Sequence, residues 1–202
     1  MNELKFEAAY DFYDKFLYNE EKQKVYIRRG FPLAKMISST DWEAMGSELV
    51  NENKSGLHGV DLITTEVKSA VYGEGFKFDM HCHSAEEKIK NASKVKYLFF
   101  SYSLDCRDVE VRIGEGELFK DYFDKWLLQY MKYKEIYPTK RFQRSIGFNV
   151  VKKRCNMVME IKNRQLVFPI NIDLQSQRNM LWIQLDHSPA TPQNSTLLQE
   201  HS

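Results

Sequence analysis

Phe6, Ala9, Tyr10, Tyr13, Phe16 and Leu17 recur at the i, i+3, i+4, i+7 spacing of one helix face, so residues 3–19 are expected to form an amphipathic helix. Val25 to Ile37 contains Gly30 and Pro32 and reads as short strands or a loop. Thr40-Asp41-Trp42-Glu43 has the form of a capping box, in which Thr40 accepts from the Glu43 amide and the Glu43 carboxylate reaches back. A helix is therefore expected from Asp41 to about Glu52. Phe76 to Cys82, FKFDMHC, alternates apolar and polar residues as a strand does. Ser84-Ala85-Glu86-Glu87 repeats the capping pattern and opens a helix to about Ala92.

Val95 to Ser103, VKYLFFSYS, is almost continuously apolar or aromatic, which suits a strand buried on both faces. Arg107 to Ile113 alternates and is placed beside it. Leu118, Tyr122, Trp126, Tyr130 and Tyr133 mark a long helix, their aromatic stripe serving packing. Phe148 to Leu185 holds four strand-like runs, FNVVKKR, NMVMEI, LVFPINI and LWIQL, with Pro169 restricting its run to an edge or bulge. His187 to Ser202 is polar, carries two prolines and reads as a disordered tail.

Helix, strand pair, strand, helix, strand and helix in this order call for an α/β fold, a central mixed β-sheet flanked by helices with an additional C-terminal β region. The 202 residues, 43% of them hydrophobic, suit one domain over residues 1–186, its core at about 40–135 and a basic β-rich region at about 138–186. No run of about 18 apolar residues is present to span a membrane, and the N-terminus lacks the basic and apolar segments of a secretory signal. Cys82, Cys106 and Cys155 are odd in number and far apart, which argues against a disulfide framework and for a reducing cytoplasm.

Candidate chemistry concentrates in Gly59 to Ala70, GVDLITTEVKSA, where an Asp, a Glu and a Lys punctuate a β-branched run. Two carboxylates can share a hard divalent cation, and such a cation can activate water and offset charge on a phosphate. The acid-any-Lys pattern also begins at Glu3, Glu20, Glu52, Glu86 and Glu160, so context decides. Glu3, Glu20, Glu52 and Glu86 sit in polar or helix-like surroundings and read as solvated charge pairs. Glu160 is strand-borne but has no Asp or Glu between Ile136 and Met159 to complete a site.

Only Glu66 has a carboxylate, Asp61, directly upstream. In a strand Glu66 and Lys68 share one face and Val67 takes the other. Asp61 lies at an odd offset from Glu66, so the chain must turn between them. A two-residue loop at Ile63-Thr64 would set their Cβ atoms roughly 5 Å apart, although Ile-Thr is poor hairpin chemistry and a bulge would serve as well.

Asp61 and Glu66-Val67-Lys68 resemble the isolated Asp and the (D/E)XK element of the PD-(D/E)XK nuclease superfamily, which includes most type II restriction endonucleases. Val60 stands where that family often has Pro, and the gap between the acids is shorter than usual. The resemblance covers roughly residues 46–71. It implies that Asp61 and Glu66 bind Mg²⁺ and that Lys68 positions or activates the attacking water. It also implies that Met45 to Leu49 belongs to the first core helix, with Glu48 as an auxiliary acid.

Net charge is +1, but Lys132 to Arg164 holds 10 Lys+Arg against 2 Asp+Glu. Within it Lys140, Arg141, Gln143, Arg144, Asn149, Lys152, Lys153 and Arg154 are candidate DNA-binding residues, since cations attract phosphates and Arg, Asn and Gln read base edges. His81-Cys82-His83 has too few companions for a structural zinc site. Walker A, GxGxxG and GxSxG signatures are missing.

These observations lead to the expectation of a Mg²⁺-dependent, sequence-specific endonuclease of double-stranded DNA, a type II restriction enzyme acting as a homodimer on palindromic sites. The alternatives are a Holliday junction resolvase or repair nuclease of the same superfamily, and a non-catalytic nucleic-acid-binding protein.

Overall fold

The computed structural model describes residues 3–55 and 60–168. Its centre is a five-stranded mixed sheet flanked by helices, as the order of elements requires. The strands are β1 (Thr65–Val71), β3 (Lys96–Tyr102), β4 (Val109–Glu115), β6 (Asn156–Lys162) and β7 (Gln165–Phe168), adjacent in that order. β1 and β3 are parallel and every later pairing is antiparallel. Two further strands, β2 (Phe76–Met80) and β5 (Phe142–Ile146), form a separate antiparallel ribbon.

β3 is the central strand that its apolar run predicts, with only Lys96 left partly open. A parallel neighbour needs a crossover. Here β2 and helix α4 (Ala85–Asn91) supply it between β1 and β3.

Alternation along the strands sorts the core into two layers. Val67, Leu98, Phe100, Tyr102, Val109, Val111, Met159 and Ile161 face helices α1 (Phe6–Phe12) and α3 (Ser39–Val50). Ala70, Tyr97 and Phe99 face the other way, onto the β2–β5 ribbon, α4 and the long helix α5 (Lys120–Ile136). On that side Phe119, Phe123, Trp126 and Tyr130 are buried and Tyr122 and Tyr133 pack partly, so of the predicted stripe Trp126 and Tyr130 are core, while Leu118 is exposed in the turn before α5.

Several local expectations are corrected. The first helix is shorter than the predicted 3–19 and passes at Tyr13–Leu17 into a π turn that buries Tyr13 and Leu17. Of the residues read as strands or a loop, 25–29 instead belong to α2 (Glu20–Arg29), and the remainder to Ile37 is loop with one 3-10 turn at Leu33–Lys35. Asn19 caps the Lys22 amide at 2.8 Å, acids begin the helix and arginines end it. Gly30, at φ 75°, is its left-handed terminator rather than a strand breaker.

The capping box of α3 is Ser38 with Asp41, two positions before the Thr40–Glu43 box read from the sequence. Ser84 makes no side-chain cap to α4. FNVVKKR, read as a strand, is helix α6 (Phe148–Arg154). Its basic last turn complements the helix dipole, and the Arg112 guanidinium donates to the carbonyls of Lys152 and Cys155. NMVMEI is β6, and LVF opens the next run as part of β7, so both extend the central sheet. LWIQL and the tail at 187–202 lie outside the described residues. Among the described residues no helix is long and apolar enough to cross a membrane.

α3 sits close on β1 because Gly46 presents no side chain there. A Cβ at Gly46 would lie 3.1 Å from Val67 Cγ2 and 3.4 Å from Leu98 Cδ1. Gly46→Val is therefore expected to overpack this contact and lower unfolding free energy by about 1–3 kcal/mol. Gly46→Ala should change it little, because a gain in helix propensity of about 1 kcal/mol offsets the tight contact. Equilibrium denaturation checks both, and equal stability of Gly46→Val and the wild type would contradict the packing.

Candidate active site

The chain meets the parity problem at Asp61 with a tight reversal. The Leu62 amide donates to the Thr65 carbonyl at 2.9 Å, leaving Ile63 and Thr64 as the loop, and Leu62 also pairs with Lys54 across an isolated antiparallel bridge. Ile-Thr does not favour such a turn by itself. Glu52, just past the C-terminus of α3, holds it from outside. Its carboxylate accepts from the Thr64 amide at 2.9 Å, from Thr64 Oγ1 at 2.6 Å and from Thr65 Oγ1 at 3.2 Å. Thr65 is fully buried, so this acceptor also satisfies a hydroxyl that water does not reach.

The reversal carries Asp61 alongside β1. Asp61 Oδ2 accepts from the Val67 amide at 2.9 Å, one residue beyond Glu66. Glu66 and Lys68 share the strand face that period 2 assigns them, and their side chains are 17% and 16% exposed. They are in direct contact, the Lys68 ammonium donating to Glu66 Oε1, while Lys68 also lies 5.3 Å from the centre of the Phe78 ring.

Burial raises the Glu66 pKa above its ordinary value; Lys68 opposes the rise and the nearby Asp61 adds to it. Tyr97, the cross-strand neighbour of Glu66, is pushed well up by burial and by the same two carboxylates. Its hydroxyl donates to the Ala92 carbonyl at 3.2 Å. Glu66 and Lys68 line a cavity of about 330 Å³ together with Asp79, Lys88, Asn91 and an apolar wall that includes Tyr97 and Trp126. Lys88, on α4, is a second cation acting on Glu66 that the motif did not point to.

Glu48 lies on the exposed face of α3, while Trp42, Met45, Gly46 and Leu49 face the core. It is absent from the residues lining the cavity. Glu43, released from capping, is instead partly buried and pairs with Lys54 at 3.3 Å, the bridge partner of Leu62.

The candidate DNA-binding residues separate into two groups. Lys140, Arg141, Gln143 and Arg144 lie on or beside β5, whereas Asn149, Lys152, Lys153 and Arg154 lie on α6. Lys140 is 4.6 Å from the Tyr137 ring centre, and Arg141 pairs with Asp79 and contacts His81 Nε2 at 2.9 Å. Gln143, Asn149, Lys152 and Lys153 are exposed. Arg144 donates to Gln129 Oε1 at 2.8 Å. Arg154 donates to both oxygens of Asp121 at 2.6 and 3.0 Å and to the Leu118 carbonyl, a structural tie between α6 and α5.

Among the described residues no three His, Cys, Asp or Glu side chains converge as a ready-made metal cage. Mg²⁺ does not require one, because it commonly uses one or two carboxylates and completes its shell with water and substrate phosphate. Asp61 and Glu66 are a hard oxygen donor set of that kind. A scan against protein-family models finds no match to this chain, and a search of curated proteins finds none either.

Two outcomes are expected. Glu52→Ala should leave the Thr65 hydroxyl unsatisfied and lower stability by about 1–3 kcal/mol, measured by urea unfolding. A raised folded pKa stabilises below the unfolded value and is lost as pH rises through the folded value. The stability of the metal-free wild type relative to Glu66→Gln should therefore fall as pH rises upward from the ordinary glutamate pKa of about 4.3. A difference that is flat or rises with pH would contradict a buried, desolvated Glu66.

Proposed function

We propose that the chain is a Mg²⁺-dependent, sequence-specific endonuclease of double-stranded DNA, a type II restriction enzyme working as a homodimer in the cytoplasm. The observation that carries this reading is the placement of Asp61 against the Glu66-Val67-Lys68 strand. Glu66 and Lys68 line one cavity, and Asp61 lies beside their strand through its bond to the Val67 amide. Asp61 and Glu66 would hold the ion. When bound, it lowers the pKa of a coordinated water and offsets charge on the scissile phosphate.

The protein's own groups account for the rest. Lys68 projects from the same face as Glu66 and can donate to the attacking water, holding it against phosphorus while one P–O ester bond breaks. The Phe78 ring confines the ammonium. Lys88, on the cavity wall, adds a positive charge toward a phosphodiester. A two-fold dimer would present two such sites to the two strands of a palindromic duplex.

The direct Lys68–Glu66 contact favours a second reading, since a mutually neutralised pair also suits a nucleic-acid-binding protein that does not cut. Incubation with Mg²⁺ and long duplex DNA separates the two. Discrete fragments are expected from the wild type, with a loss of about 10²–10⁴ in rate for Lys68→Ala and retained DNA binding. Cleavage of branched DNA alone would point to a junction resolvase. Binding without cutting by the wild type would overturn the nuclease reading.

A further inference from the structure

The β2–β5 ribbon pairs residues that lie 62 to 70 positions apart in sequence, and it sorts the apolar side chains to one side, where Arg144 is the single charged residue. Phe76 faces Ile146, Phe78 faces Arg144 and Met80 faces Phe142 on the side packed against α5 and the sheet. Lys77 faces Ser145 and Asp79 faces Gln143 on the other side, where all four are exposed. The outer face therefore carries polar hydrogen-bonding groups alone.

At its end Arg141 is held by Asp79 and His81, and Lys140 follows. Lys140 and Arg141 give this end two cations against the one carboxylate of Asp79, and Lys77 adds a third toward the opposite end of the ribbon. Asp79 also borders the cavity that contains Glu66 and Lys68, so the ribbon adjoins the candidate catalytic pair.

We infer that the exposed face of the β2–β5 ribbon is the surface that reads base edges in the major groove of duplex DNA, with Gln143, Ser145, Lys77 and Asp79 as the specificity-determining side chains. This rests on the nuclease reading only for the choice of DNA as partner. The dimensions fit: the major groove is about 12 Å wide and admits a two-stranded ribbon, and strands of five residues span about 17 Å, several base-pair steps. The side chains fit as well. Gln143 can bond both edge atoms of adenine, Lys77 can donate to guanine, Asp79 can accept from the cytosine amino group and Ser145 can adapt to either role.

Excess positive charge at the Lys140–Arg141 end supplies attraction to phosphates that carries no sequence preference. Arg144, paired with Phe78 on the packed side, and Arg154, on α6, lie off this face and are assigned no reading role. The basic residues of α6 are left for backbone contact.

The test is selection from a randomised duplex library in the absence of Mg²⁺, using the full chain, followed by sequencing of the bound fraction. Gln143→Ala, and Gln143→Ala with Ser145→Ala, are compared with the wild type. Both positions are exposed, and circular dichroism verifies folding. The wild type is expected to enrich a short motif. The ribbon variants should lose preference at one or two of its positions, about 5–100-fold each, with the salt dependence of binding unchanged.

Lys152→Ala with Lys153→Ala should instead weaken binding to all sequences and flatten the salt dependence. The same motif from the wild type and both ribbon variants overturns the inference while DNA binding stands. A wild type that enriches no duplex sequence overturns it as well. A motif altered by the ribbon variants, from a protein that cuts nothing when Mg²⁺ is added, leaves the ribbon inference standing and removes the nuclease reading.

Discussion

The arrangement of the site depends on the grip of Glu52 on the turn before β1. Without an outside acceptor, Ile63-Thr64 has no chemical reason to reverse the chain, and the odd spacing from Asp61 to Glu66 would point the two carboxylates to opposite faces of the sheet. Three hydrogen bonds to one carboxylate replace the Gly, Asn or Asp that such a loop ordinarily uses. The bridge from Leu62 to Lys54 and the bond from Asp61 to the Val67 amide then seat Asp61 beside the strand. The end of α3, packed through Gly46, thus positions Asp61.

The cost of that placement is electrostatic. A carboxylate as buried as Glu66 disfavours its charged form, and Asp61 adds repulsion. Lys68 opposes this in direct contact with Glu66, and Lys88 adds a weaker opposing charge. A divalent cation would offset both penalties at once, so the unfavourable features of the metal-free site are those that binding would relieve. The non-catalytic reading takes the same surroundings as a strand ion pair, with Asp61 serving only as acceptor for the Val67 amide.

How much of this was legible in the sequence varies with the physics involved. Period 2 was enough to place Glu66 with Lys68, and a continuous apolar run was enough to find β3, because both depend on neighbours in sequence. The role of Glu52 was not legible. Its acid-any-Lys setting looked like a solvated pair, and only the fold brings it to Thr64 and Thr65. α2 was missed because Gly30 can end a helix as readily as it breaks a strand. α6 was missed because its valines favour strands, while the Arg112 cap on its last carbonyls and the Arg154 tie to Asp121 join residues far apart along the chain. The basic block read as one surface resolves into a ribbon group and a helix group, a division set by pairing of β5 with β2.

On the nuclease reading proposed above, the Glu52-held turn would make Asp61 and Glu66 one cation site. Mn²⁺, a hard-ligand substitute for Mg²⁺ that reports by electron paramagnetic resonance, tests this without requiring turnover. Titration should show Mn²⁺ binding to the wild type, its loss in Asp61→Ala and in Glu66→Ala, and weakening in Glu52→Ala. Equal binding by the wild type and Asp61→Ala would contradict it.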